Sequence, residues 1–272
     1  MEDTVRSNIR CLMRILEFNA INGLLFFRIG SGLIPFASHP VCDFNWESRF
    51  AGDLERCGGY IGKHAMRISM HPDQFIVINS TNRGVSEKSV LELEYHCRLL
   101  DIMGLGSDAK IQIHCGGVYG DKKGSMERFI KVYESLNERL RSRLVIENDD
   151  KSYSVRDCLE IHKRTGIPVL FDFFHHEINP GGLTLSDALN NASSTWSQVD
   201  GVLMCDYSSQ EKGARRGVHA SSLVEEDLRK KIKESGSLNY DLMLEIKDKE
   251  ESAIKALRLI NGMKKPGAVN IS

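Results

Sequence analysis

Two hydrophobic patterns alternate along the chain. Short continuous apolar runs are followed by longer stretches in which apolar residues return every three or four positions. The first pattern predicts strands covered on both faces, the second amphipathic helices. The first helix is predicted from Val5 to Asn22, with Ile9, Leu12, Met13, Leu16 and Ala20 at helical spacing and Gly23 as its stop. GLLFFRIG then reads as a buried strand, Trp46 to Cys57 as a helix and HAMRISMH as the next strand. A long helix is predicted from Ser86 to Met103, with Ser86 as N-cap and Leu91, Tyr95, Leu99 and Ile102 as its apolar stripe. From there the alternation is regular. Strands Lys110–His114, Leu144–Glu147, Val169–Asp172, Gly201–Asp206 and Asp241–Ile246 are each followed by a helix: Ser125–Arg141, Val155–Thr165, Leu185–Ala192, Glu225–Ser235 and Glu250–Asn261.

Strands alternating with helices imply parallel pairing and right-handed crossovers. The length of 272 residues suits one barrel, which takes about 250 residues. The expectation is an α/β fold, a TIM (β/α)8-type barrel forming a single domain over residues 1–272. Seven strands are readable and none precedes the first helix, so the first strand is missing from this reading. Such a barrel would be open between GLLFFRIG and DLMLEI, or the chain would begin further upstream.

The strands end on a consistent chemistry. In order, their ends are ISMHPDQF, IQIHCGG, LVIENDD, VLFDFFHH, VLMCDYSSQ and LMLEIKDKE. Each apolar run stops on a residue that can bind metal: His71, His114, Glu147, Asp172 with His175, Asp206 and Glu245. In a parallel barrel these tips converge at the face that carries active sites. Carboxylates crowded there repel unless a cation joins them. Divalent ions answer that need and favour hydrolysis of phosphate esters. The alternative is a ring of salt bridges, with Lys247 and Lys249 beside Glu245. His219, in GVHAS, is placed to complete an outer site, and His39, in SGLIPFASHP, is a further candidate lining it. His176 reads as a neighbour of the cluster. His64, His96 and His162 fall before strands or on helices and read as uninvolved.

Composition narrows the partners. Hydrophobic residues are 41% and charged residues 27%, as in an ordinary globular protein. The net charge is −1, so attraction to nucleic acid must come from local clusters. Two long loops supply them: Cys115–Gly124 carries Lys122 and Lys123, and Tyr207–Ser222 carries Lys212, Arg215 and Arg216. Gln74 and Phe75, just past His71, pair an amide with an aromatic ring suited to entering a base stack. The seven cysteines are scattered without CxxC spacing, which suits a reduced cytoplasmic setting and buried packing roles. No segment has the length and apolarity of a membrane span or a signal peptide. No phosphate-binding Walker loop, GxGxxG after a strand, or GxSxG is present, so a nucleotide cofactor or a serine nucleophile has no local support.

With these residues in hand, the sequence resembles the UV damage endonuclease family. The segments that carry the resemblance are NGLLFFRIGSGLIPFASHP, RISMHPDQFIVINS, IQIHCGG, LVIENDD, PVLFDFFHH, DYSSQ, GVHA and DLMLEIKDKE. The resemblance implies a metal-dependent barrel related to endonuclease IV. It also implies nicking of the phosphodiester 5′ of UV photoproducts in double-stranded DNA, leaving a 3′-hydroxyl. Up to three divalent ions are implied, manganese first, with zinc or magnesium as alternatives. The ligand positions carried over are His71, His114, Glu147, Asp172, His175, Asp206, His219 and Glu245, with Glu147, Glu245 and His39 as catalytic residues. Gln74 and Phe75 match a pair that enters the duplex at the lesion. Where the family reads Lys-x-His-x-Ser, this chain has Met204, Asp206 and Ser208, so one lysine and one histidine are replaced. Two other readings use the same strand-end residues: a metal-dependent sugar isomerase or epimerase, and a lesion-binding barrel that does not cut.

Overall fold

Val5, Ile9, Leu12 and Leu16 fall on one side of a helix, and that side is buried. The same logic runs through the whole computed structural model, which describes residues 1–263 and 269–271. The chain divides into two compact units, Met1–Leu144 and Val145–Ser272.

In the first unit, α1 (Glu2–Asn22) ends on Gly23, whose left-handed φ of 74° suits a residue without Cβ. There follow β1 (Phe26–Ile29), a short 3-10 helix (Ser31–Leu33), α2 (Trp46–Lys63), β2 (Arg67–Met70), α3 (Arg83–Ile102), β3 (Lys110–His114), α4 (Lys122–Ser135) and α5 (Glu138–Arg141). Strand β1 pairs with β2, and β2 with β3, both parallel. The second unit takes over within β4 (Leu144–Glu147) and continues through α6 (Val155–Thr165), β5 (Val169–Asp172), α7 (Phe173–Ile178), α8 (Leu185–Ser193), β6 (Leu203–Tyr207), α9 (Glu225–Glu234), β7 (Tyr240–Leu244), α10 (Glu250–Asn261) and β8 (Val269–Ile271). Here β4 pairs with β5, β5 with β6, β6 with β7 and β7 with β8, again all parallel. The fold is α/β of the TIM (β/α)8 type. Strands β4, β5 and β6 are buried throughout, as two-sided cover requires.

All seven predicted strands are present. An eighth, β8, lies at the far end of the chain, three residues long and therefore without a legible pattern. No strand precedes α1 among the described residues. Helix α3 begins earlier than its sequence suggests. Asn82 is its N-cap and accepts from the amides of Gly84 and Val85, while Ser86 turns its hydroxyl to the Ile78 carbonyl. The buried face of α3 also differs: Leu91 is exposed, and Ser89, Leu93, His96 and Cys97 are buried. The predicted helix Ser125–Arg141 is two helices, because Leu136 is extended and Asn137 caps α5 by accepting from the Leu140 amide at 2.8 Å. Helix α7 was not foreseen. Asp172 serves as its cap, which ends β5 and starts the helix on one residue.

One arginine ties the base of the first unit together. The buried Arg143 guanidinium donates to Asp101 Oδ1 at 2.6 and 3.2 Å, and to the carbonyls of Leu105, Gly106 and Ala109 at 2.7, 2.6 and 3.2 Å. Every N–H is used, and three turn carbonyls gain a partner. Arg143→Ala is expected to cost about 3 kcal/mol of stability, because a buried ion pair and several carbonyls lose their partner. Arg143→Lys should recover only a small part, since an ammonium cannot span the same fork. A urea midpoint for either variant equal to that of the parent would remove this assignment.

Candidate metal centre

In the first unit, β2 stops at Met70 and β3 stops on His114, which leaves His71 and His114 at the same end of neighbouring parallel strands. Their rings lie 5.3 Å apart, tilted by 57°, and both residues are half-buried. The backbone at His71 is fixed from the 3-10 helix: Ser31 Oγ donates to the His71 carbonyl at 2.9 Å. The Tyr95 hydroxyl holds that turn, donating to the Ser31 carbonyl and accepting from the Ile34 amide.

In the second unit, Glu147 ends β4 and Asp172 ends β5. Capping α7 brings His175 back over Asp172, whose Oδ1 accepts from the His175 amide at 2.6 Å. The His175 Nδ1 is 3.2 Å from Glu147 Oε1 and 3.7 Å from Asp172 Oδ2. One ligand atom from each of Glu147, Asp172 and His175 falls within 4.8 Å of the others. Both carboxylates are buried. The His175 Nδ1 also faces the Asn148 carbonyl at 2.9 Å. A carbonyl can only accept, so Nδ1 carries hydrogen and Nε2 is the atom left for a ligand.

Electrostatics in this trio follow from burial and proximity. Burial pushes Asp172 up to about 6; His175 opposes the rise, and Glu147 and Glu245 add to it. Burial lowers His175, but Asp172 and Glu147 outweigh it, together with the Asn148 carbonyl, and hold the imidazole up to about 11. At neutral pH the metal-free trio therefore keeps a proton on His175 between two carboxylates. The residues fit a divalent cation: the donors are nitrogen and oxygen, and Asp172 Oδ2 is buried without a hydrogen-bond partner.

The other strand-end candidates of this unit border the trio. Asp206, fully buried, stands in register with Asp172 across β5 and β6. Glu245 follows β7 and donates its amide to the Tyr207 carbonyl at 2.8 Å. His219 donates from Nδ1 to the Glu245 carbonyl at 3.0 Å, and its ring lies 6.2 Å from that of His175. His219 reaches this place because its loop folds back: Gln210 bridges to His219, and Glu211 N donates to the Val218 carbonyl. His176 is buried against Phe171, its pKa lowered by burial and by Lys231, as befits a neighbour and not a ligand.

His39 sits exposed in the turn after the 3-10 helix, its Nδ1 accepting from the Val41 amide at 3.2 Å. Gln74 and Phe75 lie exposed just past His71, Phe75 with 72% of its surface in solvent. Lys122 and Lys123 are not loop residues but the first turn of α4, and both are exposed. Arg215 and Arg216 are exposed in the folded-back loop, and Arg216 donates to the Ile178 carbonyl at the end of α7.

Two features were missed in the sequence. Asn148 is the alignment device of the trio: its side chain donates to the Asp172 carbonyl at 3.1 Å and accepts from the Asp172 amide at 2.9 Å. The signal was present, as an amide directly after a strand-end glutamate. Behind β6, the Tyr207 hydroxyl bonds Asp227 and Ser209, and the buried Lys231 reaches Asp227 at 3.4 Å and Glu177 at 2.5 Å. This network ties α7 and β6 to α9, and no local sequence pattern points to it.

Because a metal ligand must give up its proton, manganese titrated into metal-free protein is expected to release about one proton near pH 7.5. The measurement is calorimetry in buffers of different ionisation enthalpy. His175→Asn should remove the buffer dependence. A parent protein whose binding heat ignores the buffer would refute a protonated His175.

Comparison with known proteins matches this architecture. The UV-endonuclease UvdE family profile matches residues 1–271. A UV DNA damage endonuclease of Clostridium perfringens (strain 13 / Type A) is 37% identical over 96% of this chain, and this chain spans 64% of that relative's length. One from Bacillus thuringiensis subsp. konkukian (strain 97-27) is 30% identical, with 97% of this chain and 84% of that one covered. The crystal structure of SacUVDE superposes with a TM-score of 0.92 at 45% identity, covering 97% of this chain and 89% of that one. A D-psicose 3-epimerase shares the fold alone, with a TM-score of 0.58 at 12% identity over 94% of this chain and 93% of that one. With a family match over nearly its whole length and strand ends that gather histidines and carboxylates, the chain belongs to the UV-endonuclease UvdE family.

Proposed function

We propose that this chain is a DNA repair endonuclease. It hydrolyses the phosphodiester on the 5′ side of UV photoproducts in double-stranded DNA and leaves a 3′-hydroxyl. Cyclobutane dimers and 6-4 products are the substrates, with abasic sites as a third. The observation that carries this reading is the buried trio of Glu147, Asp172 and His175 in a member of the UvdE family.

In this reading His71, His114, Glu147, Asp172, His175, Asp206, His219 and Glu245 hold up to three divalent ions. Manganese is first, with zinc and magnesium as alternatives. Bound ions supply Lewis-acid activation of water and neutralise charge on the phosphate. The protein's part is placement. Asn148 fixes the backbone at Asp172, and carbonyls of Asn148 and Glu245 fix the tautomers of His175 and His219. Asp206 stands where the family pattern has histidine, and a carboxylate suits manganese or magnesium well. His39 and Glu245 complete the catalytic set with Glu147. Lys122, Lys123, Arg215 and Arg216 meet phosphates, which a chain of net charge −1 must do locally. Phe75 and Gln74 enter the duplex at the lesion. No nucleotide cofactor takes part, and no described helix is long and apolar enough to cross a membrane. The enzyme works in the cytoplasm, with the DNA.

Glu147→Gln and Glu245→Gln are each expected to abolish nicking of UV-irradiated plasmid in manganese. Circular dichroism should stay unchanged while bound metal, by elemental analysis, falls. Full activity and metal content in both variants would end the metal-cluster reading. Gln74→Ala with Phe75→Ala should weaken binding to damaged duplex more than to undamaged duplex, because an inserted ring replaces stacking worth roughly 1–3 kcal/mol per base. Equal losses on both DNAs would make the pair structural.

A further inference from the structure

A second exposed aromatic lies beside the loop of Phe75. Tyr119 lies in the segment between β3 and α4 and has 46% of its surface in solvent. Its backbone is left-handed, with φ 50°. An L side chain takes up that conformation at a cost that glycine or asparagine largely avoids. The ring is also packed against the protein. A β-carbon at Gly117 would lie 2.7 Å from it, so the ring packs directly on the glycine backbone. The Arg128 guanidinium sits 5.5 Å from the ring centroid. Arg128 is itself tied down, donating to the Asn79 carbonyl at 3.0 Å and to Ser125 Oγ at 2.6 Å.

Asn79 joins this turn to the neighbouring loop. It lies buried on the segment after β2 that carries Gln74 and Phe75, and its amide donates to the Gly117 carbonyl at 2.8 Å. Phe75 and Tyr119 therefore stand on two loops fixed to each other. They differ in packing: Phe75 is the more exposed, whereas the Tyr119 ring lies against the Gly117 backbone with the Arg128 guanidinium over it. Among the described residues no protein group bonds its hydroxyl. Lys123 stands exposed on the adjoining first turn of α4.

We infer that Tyr119 is a lesion-independent DNA contact: its hydroxyl donates to a backbone phosphate and its ring edge packs on the sugar. The inference rests on the DNA reading above. The chemistry is that of tyrosines that position a duplex without reading its bases. An aromatic on a strained backbone with a free hydroxyl has a use on the outside of a duplex, where every sequence offers the same group.

The test is binding of the intact protein to matched UV-irradiated and undamaged duplexes, with a thermal melt of each variant. Tyr119→Asn keeps the left-handed backbone and removes the ring. It is expected to lower affinity for both duplexes by about tenfold, to leave their ratio unchanged, and to hold or raise the melting temperature. Tyr119→Phe, which loses only the hydroxyl, should fall between. Affinity within twofold of the parent, a loss confined to damaged DNA, or a melting temperature that drops with affinity would each overturn the inference. Failure of the DNA reading is distinguishable, because the parent protein itself would then bind neither duplex.

Discussion

Two carboxylates withdrawn from water against one imidazole set the terms for the second unit. Glu147 and Asp172 are buried, and neither can stay charged there without a nearby positive charge. In the metal-free protein the His175 proton supplies it, which is why that imidazole holds its proton so far above the ordinary range. The same arrangement suits a divalent ion in electrostatic terms, since an ion can replace the proton and add charge. Everything close to the trio serves its alignment. Asp172 spends one oxygen on capping α7, and that cap is what returns His175 to the strand end. Asn148 closes a reciprocal pair with the Asp172 backbone, so the strand end cannot relax away from the repulsion.

The same division of labour recurs around the loops. Arg143 holds the turn between α3 and β3. In the first unit Ser31 and Asn79 tie neighbouring loops by side-chain bonds to backbone groups, and in the second Gln210 closes its own loop by accepting from the Gly217 amide. Such bonds let irregular segments present His71, Phe75 and His219 at fixed places without secondary structure of their own. The Tyr207–Asp227–Lys231–Glu177 network does this from behind. It buries charge in pairs and so links the helix that carries His175 to the strand that carries Asp206.

Met204 and Asp206 stand together on β6. Both residues are fully buried on one face of β6, in register with Asp241 and Met243 of β7. Asp206 keeps a hard oxygen donor beside Asp172, while Met204 contributes only packing. Charge at this strand end is therefore carried by carboxylates, which raises the demand for a cation.

Much of the fold was legible because its signals are local. Continuous apolar runs mark strands covered on both faces, 3.6-residue periodicity marks helices, and a polar residue ending each run marks the strand tips, so Glu147, Asp172 and His175 are legible in the sequence. What failed was equally physical. β8 is three residues long and has no room for a pattern, and Asn82 displaced Ser86 as a cap because both are competent capping residues and tertiary packing chose between them. Lys122 and Lys123 look like loop in sequence because their helix is started by Asp121, which lies near Gly120 and Gly124. Which residues end the strands, and what chemistry they offer, follows from side-chain type and period alone. Which of them share charge, which nitrogen of each histidine faces a carbonyl, and which aromatic packs on a neighbouring backbone are settled by the fold. Those depend on distances of a few ångströms between segments far apart in the chain, and no local pattern encodes them.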